Sequence, residues 1–276
     1  MDSAASLASN LDYNALLGRL SLLSVVELAG LSFEVCLAFW LNVYHLLLVV
    51  STVELYPFSP KDRLRNARQC SLMVCGERLS LLQIEFAILR SSRAMPSLPA
   101  SHLLGGALPK KHPKFAAVFD GIEDRWWRLI SYGISYACSG TPAMHVYDAE
   151  NVLEALQKCG HDYFSWGGGL KISKKNVVLS AYLEWFQGEN DAKIPLETAL
   201  ATWSEELGLP PLPDNKPKIK FEDNVMLDEV LFFFPKTVTA INNPGGNNNN
   251  EVEGVHFSAV LSPRVVAAGK DKEETK

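Results

Sequence analysis

The most apolar stretch of the chain, VCLAFWLNVYHLLLVVSTV from Val35 to Val53, contains no Asp, Glu, Lys or Arg. It matches the length of about 20 residues that a membrane-spanning helix needs. Asn42 and His45 interrupt its middle: on a helix, Ala38, Asn42, His45 and Val49 fall along one stripe. An Asn and a His one turn apart can hold each other and a third group. The pattern thus leaves two readings open, a bilayer span or the central helix of a soluble domain. The two prolines of YPFSP close the helix on its C-terminal side.

Further on, SLMVCGERLS alternates around Cys75-Gly76-Glu77 and predicts a short hairpin. Ser80 and Gln83 have capping-box spacing and predict a helix start. From Ser91 to Phe119 Pro, Gly, Ser and His accumulate, which predicts a long loop. The alternation from Leu129 to Ala137 predicts a strand, and DAENVLEALQKCGHDYF a helix with Asp148 as N-cap. KKNVVLSAYLEWF predicts a strand and a helix, PLETALATWSEELG another helix, and KIKFED a strand. NNPGGNNNNEVEG and the charged GKDKEETK predict a disordered tail. The expected fold is therefore α+β, a helix-rich single domain around a central apolar helix at about 35–53 with a small sheet. Residues 1–32 form a lead-in, 33–241 the globular domain and 242–276 the tail.

Composition changes this picture little. At 276 residues, 47% apolar and 21% charged, the chain is ordinary globular material, and a net charge of −5 gives no reason to expect nucleic acid. The basic PKKHPK segment reads as a solvated connection. Five cysteines, an odd number with no Cys-x-x-Cys and no secretory leader pattern, predict free thiols in the cytoplasm. Cys159 and His161 supply two ligands where a zinc site needs four, so no metal and no cofactor are expected.

Glu85 is the residue whose chemistry stands out. Leu81, Ile84, Ile88 and Leu89 share one face of the capped helix, and Glu85 falls inside that face. A buried carboxylate costs several kcal/mol without a partner, so a cation or several donors must face it. It reads either as a structural tie or as a general acid or base. On an α-helix Arg90 lies on the opposite side, which leaves Arg65, Arg68 or Arg128 as the expected cation.

The segments LAFWLNVYHLLLVV, VCGERLSLLQIEFAILR, ISYGISYACSGTPAMHVYDAENVLEAL, VVLSAYLEWFQGEND and IKFEDNVMLDE resemble, in order and spacing, the domain of unknown function 547. The resemblance runs from about Phe33 to Glu229. It implies a soluble α+β domain in which the Asn-bearing helix is central, and it carries no established activity. Members of that family often accompany other modules, as adaptors do. Many have a His in the strand matching ISYGIS and a Cys-Pro before the next helix, which look like a thiol nucleophile and its base. Here Ser131 occupies the His position and Thr141-Pro142 the Cys-Pro position, while His45 stands where Asn is usual and Phe86 where His commonly follows the glutamate. Thiol chemistry is therefore not expected.

Two functions follow as expectations. The first is a binding or scaffold module with a protein partner, no nucleic acid and no membrane span. Asn42, Tyr44, Arg90 and Ser131 are its binding candidates. The alternative is a hydrolase or acyl transferase in which Thr141 or Ser139 replaces the thiol, His145 or His45 is the base and Glu85 handles or orients a proton. That enzyme requires these groups to converge.

Overall fold

The computed structural model describes residues 11–55, 60–90, 110–138, 140–165, 169–172, 176–180, 182–183, 200, 204–209, 218–222, 231–233 and 258–260. The 242–276 tail, apart from one short strand, lies outside them, as do Ser139 and most of the loop after Ser91.

Helix α1, Leu11–Arg19, leads into a 3-10 turn, Leu20–Val25, and then into α2, Phe33–Leu55. No proline or glycine interrupts α2, and Glu34 in its first turn complements the helix dipole. The helix is long and apolar enough to cross a membrane, and 61% of its most apolar window is buried by the rest of the chain. Leu37, Trp40, Leu41 and Leu47 are fully buried in the main core. Tyr13 of α1 covers the far end of α2 beside Val50 and Val53. Helix α2 stops at Leu55, as the prolines predict. Pro60 then opens a helix that the sequence reading did not anticipate, α3, Pro60–Gln69, with Asp62 in its first turn and Arg68 in its last. Proline at a first helical position starts a helix as readily as it ends one.

Strands β1, Ser71–Val74, and β2, Glu77–Ser80, form the predicted antiparallel hairpin. Its two-residue turn puts both Cys75 and Gly76 in the left-handed region, at φ +53° and +80°. That conformation matches the twist of the strands and favours glycine at the second position. A π-helix, Gln83–Leu89, follows.

Helix α4, Asp124–Gly133, corrects the strand expected over Leu129–Ala137. Trp126, Trp127, Leu129 and Ile130 are buried together, a helical period that overrode the local alternation. Past the helix Ile134 is extended, and residues 134–136 belong to no sheet among the described residues. Asp148 is the extended residue before the next helix, but its side chain makes no cap hydrogen bond; a 3-10 turn, Ala149–Asn151, leads instead into α5, Val152–Ser165.

Strands β3, Leu170–Ile172, β4, Asn176–Ser180, and β5, Lys218–Glu222, form a mixed sheet in the order β3-β4-β5, with β4 and β5 parallel. Strands β6, Leu231–Phe233, and β7, Ser258–Val260, pair antiparallel. The fold is thus helix-rich α+β with small sheets.

Candidate functional site

The capping box forms as its spacing predicts: the Ser80 N–H donates to Gln83 Oε1 at 2.9 Å, and the Gln83 N–H donates to Ser80 Oγ at 3.4 Å. The helix it starts then widens. The Arg90 N–H donates to the Glu85 carbonyl at 2.8 Å, the i to i+5 bond of a π-turn. Widening the turn carries Arg90 round to the side of Glu85, and Arg90 Nε lies 3.3 Å from Glu85 Oε1, with both side chains 2% exposed. The cation at Glu85 is therefore Arg90, which an α-helical wheel places on the wrong face. Arg65 pairs with Asp62 and Arg128 with Glu206.

Two phenols also face the carboxylate. Tyr136 donates to Glu85 Oε1 at 2.6 Å, and Tyr44 of α2 reaches Oε2 at 3.5 Å. Burial, and next the Glu85 charge, push both phenols well above their usual range, so each remains a proton donor. Arg90 also donates through Nη1 to Ser131 Oγ at 2.9 Å, and that hydroxyl donates to the Trp127 carbonyl at 3.2 Å. Tyr182 donates to the Ser131 and Ile134 carbonyls at 2.6 and 3.2 Å. Charged, hydroxyl and backbone groups from α2, the π-helix, α4 and the segment after it thus form one buried network.

Asn42 and His45 use the same stripe of α2 differently from expectation. They do not hold each other; both grip the backbone of the segment before α5. Asn42 donates through Nδ2 to the Tyr147 carbonyl at 2.8 Å and accepts the Tyr147 N–H through Oδ1 at 2.9 Å. His45 Nδ1 lies 3.0 Å from the His145 carbonyl, and Nε2 lies 3.4 Å from the Ser135 N–H. A carbonyl on one side and an N–H on the other assign the neutral tautomer protonated at Nδ1. Burial disfavours the imidazolium and lowers the His45 pKa to about 4.

Two described candidates remain, Thr141 and His145. The Thr141 hydroxyl donates to the Cys138 carbonyl at 2.9 Å, with Cys138 Sγ at 3.8 Å. Among the described residues no histidine is hydrogen-bonded to it. His145 offers its carbonyl, not its ring, to His45. Burial lowers the His145 ring's pKa to about 4 as well, against the opposing pull of Asp162. Near Thr141 the backbone is strained, with Ala137 at φ +50°. It is pinned by Arg63, which donates to the Tyr136 and Ala137 carbonyls at 2.8 and 3.3 Å. Tyr163 and Ser180 donate to the Gly140 carbonyl at 3.0 and 3.2 Å. Among the described residues no group of three or more His, Cys, Asp or Glu is arranged to hold a metal.

This geometry can be set beside known proteins. The family described as "Protein of unknown function, DUF547" matches residues 28–164, from just before α2 to the end of α5. The chain belongs to this DUF547 family. No curated protein and no solved structure matches it. The match contains Asn42, His45, Glu85, Arg90, Ser131 and Tyr136, hence nearly all of both buried arrangements. Strands β3 to β5 and Tyr182 lie beyond it.

Sequence reasoning missed Tyr136 and Tyr147. A tyrosine in an otherwise apolar segment needs an acceptor for its hydroxyl, and an orphan carboxylate needs donors. Matching those two needs would have pointed to Tyr136 as a partner for Glu85. The Tyr147 hydroxyl donates to the Gly133 carbonyl at 3.2 Å, a demand set by the end of α4.

Proposed function

We propose that this DUF547 domain is a binding or scaffold module without catalytic machinery of its own, acting on a protein partner in the cytoplasm. One observation carries the reading: among the described residues Glu85, His45 and Thr141 each have their polar groups engaged inside the fold, and no base is hydrogen-bonded to the Thr141 hydroxyl. Glu85 is held by Arg90 and two phenols, His45 has a backbone group at each ring nitrogen, and the Thr141 hydroxyl is turned to a carbonyl. A nucleophile needs a base within hydrogen-bond reach, and Thr141 has none among these residues. The burial of α2 by protein supports a water-soluble domain, and five free cysteines suit a reducing compartment.

The test is covalent. A fluorophosphonate probe reacts with hydroxyl groups activated for acyl transfer, and mass spectrometry locates the adduct. The expected result is no adduct on Thr141 or Ser139 in the folded protein. Stoichiometric labelling that disappears in Thr141→Ala or Ser139→Ala overturns the reading in favour of the hydrolase.

A further inference from the structure

The 3-10 turn Leu20–Val25 lies against β1, and the Cys75 N–H donates to the Leu23 carbonyl at 2.8 Å. With three residues per turn, positions i and i+3 stack. Leu23 and Val26 accordingly face the core, while Leu22 and Val25 project outward, 62% and 76% exposed. Met73, the outward residue of β1, is 41% exposed, and Leu31 a few residues past the turn is 43% exposed. Three of the seven large apolar side chains that the described part of the molecule leaves in water, Leu22, Val25 and Met73, therefore occur on two adjoining elements. Scattered exposed leucines are ordinary, but a clustered set marks an interaction site.

Three exposed cations lie beside these elements. Arg19 precedes the turn and is exposed. Exposed Arg78 stands directly across the hairpin from Met73. Exposed Lys114 donates its backbone N–H to His112 Nδ1 at 3.3 Å, and His112 in turn reaches Glu77 of β2. Of the neighbouring acids, Asp120 pairs with Lys111 and Glu77 Oε2 lies 2.8 Å from His112 Nε2, while Glu27 is exposed. Three exposed cations beside an apolar set stand out on a chain whose net charge is −5.

We infer that the outer face of the Leu20–Val25 turn and the β1–β2 hairpin docks an acidic amphipathic segment of a partner protein, whose apolar side chains cover Leu22, Val25 and Met73 while its carboxylates meet Arg19, Arg78 and Lys114. A protein fits this surface better than a bilayer. The exposed apolar set lacks the Trp and Tyr that anchor proteins at membrane interfaces, and three cations contribute only about 1 kcal/mol each at an anionic surface. Methionine, adaptable in shape, suits a protein-binding surface.

This inference rests on the binding-module reading and specifies the partner. Its test is selection of a random peptide library on the full chain. The expected winners carry apolar residues at i, i+3 and i+4 with flanking Asp and Glu. They bind roughly tenfold more weakly to Leu22→Ser/Val25→Ser and to Arg78→Glu/Lys114→Glu, while circular dichroism shows both variants folded. Winners without acidic residues, or binding unchanged in these variants, overturn the proposal. So does pelleting with phosphatidylserine vesicles that depends on Leu22 and Val25. Any of these outcomes with Thr141 and Ser139 unlabelled by fluorophosphonate removes this surface alone, whereas labelling removes the binding-module reading itself.

Discussion

His45 is a histidine held neutral because both its ring nitrogens face backbone groups in a place where water does not reach. In the unfolded chain the same ring takes a proton near its ordinary value of 6.5, while in the fold it does so only near 4. Above about pH 6.5 both states are neutral and the full stability is present. As the pH falls from 6.5 towards 4 the unfolded state binds the proton first, so stability is lost across that window, by roughly 3 kcal/mol for a shift of this size. Urea unfolding at a series of pH values is expected to show this loss, and His45→Gln to flatten it; His145, lowered to about 4 by its own burial, contributes in the same direction. An equal slope in wild type and variant would remove His45 from the account. The sequence made His45 and Glu85 legible as polar residues on buried faces. The partners of His45 were not legible, because a backbone carbonyl such as that of His145 leaves no mark on residue type.

At the scale of the element, the clearest misreading was the π-turn. A wheel drawn at 100° per residue assumes every turn is α, and one widened turn is enough to bring Glu85 and Arg90 together. The capping box, the hairpin and the stop at Leu55 were legible because each depends on residues within a few positions. Helix α4 was not, since its buried face meets α5 far along the chain. That contact makes a prediction. Gly160 of α5 faces Tyr132 of α4, and a Cβ there would lie 2.8 Å from a carbon of the Tyr132 ring and 2.8 Å from Leu207 Cδ2. In an open helix Gly→Ala stabilises by about 1 kcal/mol. Here overpacking reverses the sign, and Gly160→Ala is expected to destabilise by about 1–2 kcal/mol, read as a lower urea midpoint. A raised midpoint would mean that α4 and α5 do not meet so closely.

The whole molecule is organised by the two sets of polar contacts that α2 makes. Asn42 and His45 fasten it to the segment before α5, and Tyr44 reaches Glu85 and thereby Arg90, Ser131 and Tyr136. In a DUF547 domain whose interior ties are ionic, losing one member leaves a buried charge without compensation. Catalytic groups behave in the opposite way, because sites kept for chemistry are strained and replacing them commonly stabilises a protein. The decisive measurement is therefore a double-mutant cycle by urea unfolding with Arg90→Met, Glu85→Gln and the pair together. The account predicts that Arg90→Met costs about 3–5 kcal/mol, and that the double variant loses less than the sum of the singles by at least about 1 kcal/mol. Single variants as stable as the wild type, or more so, with no coupling between them, would contradict it.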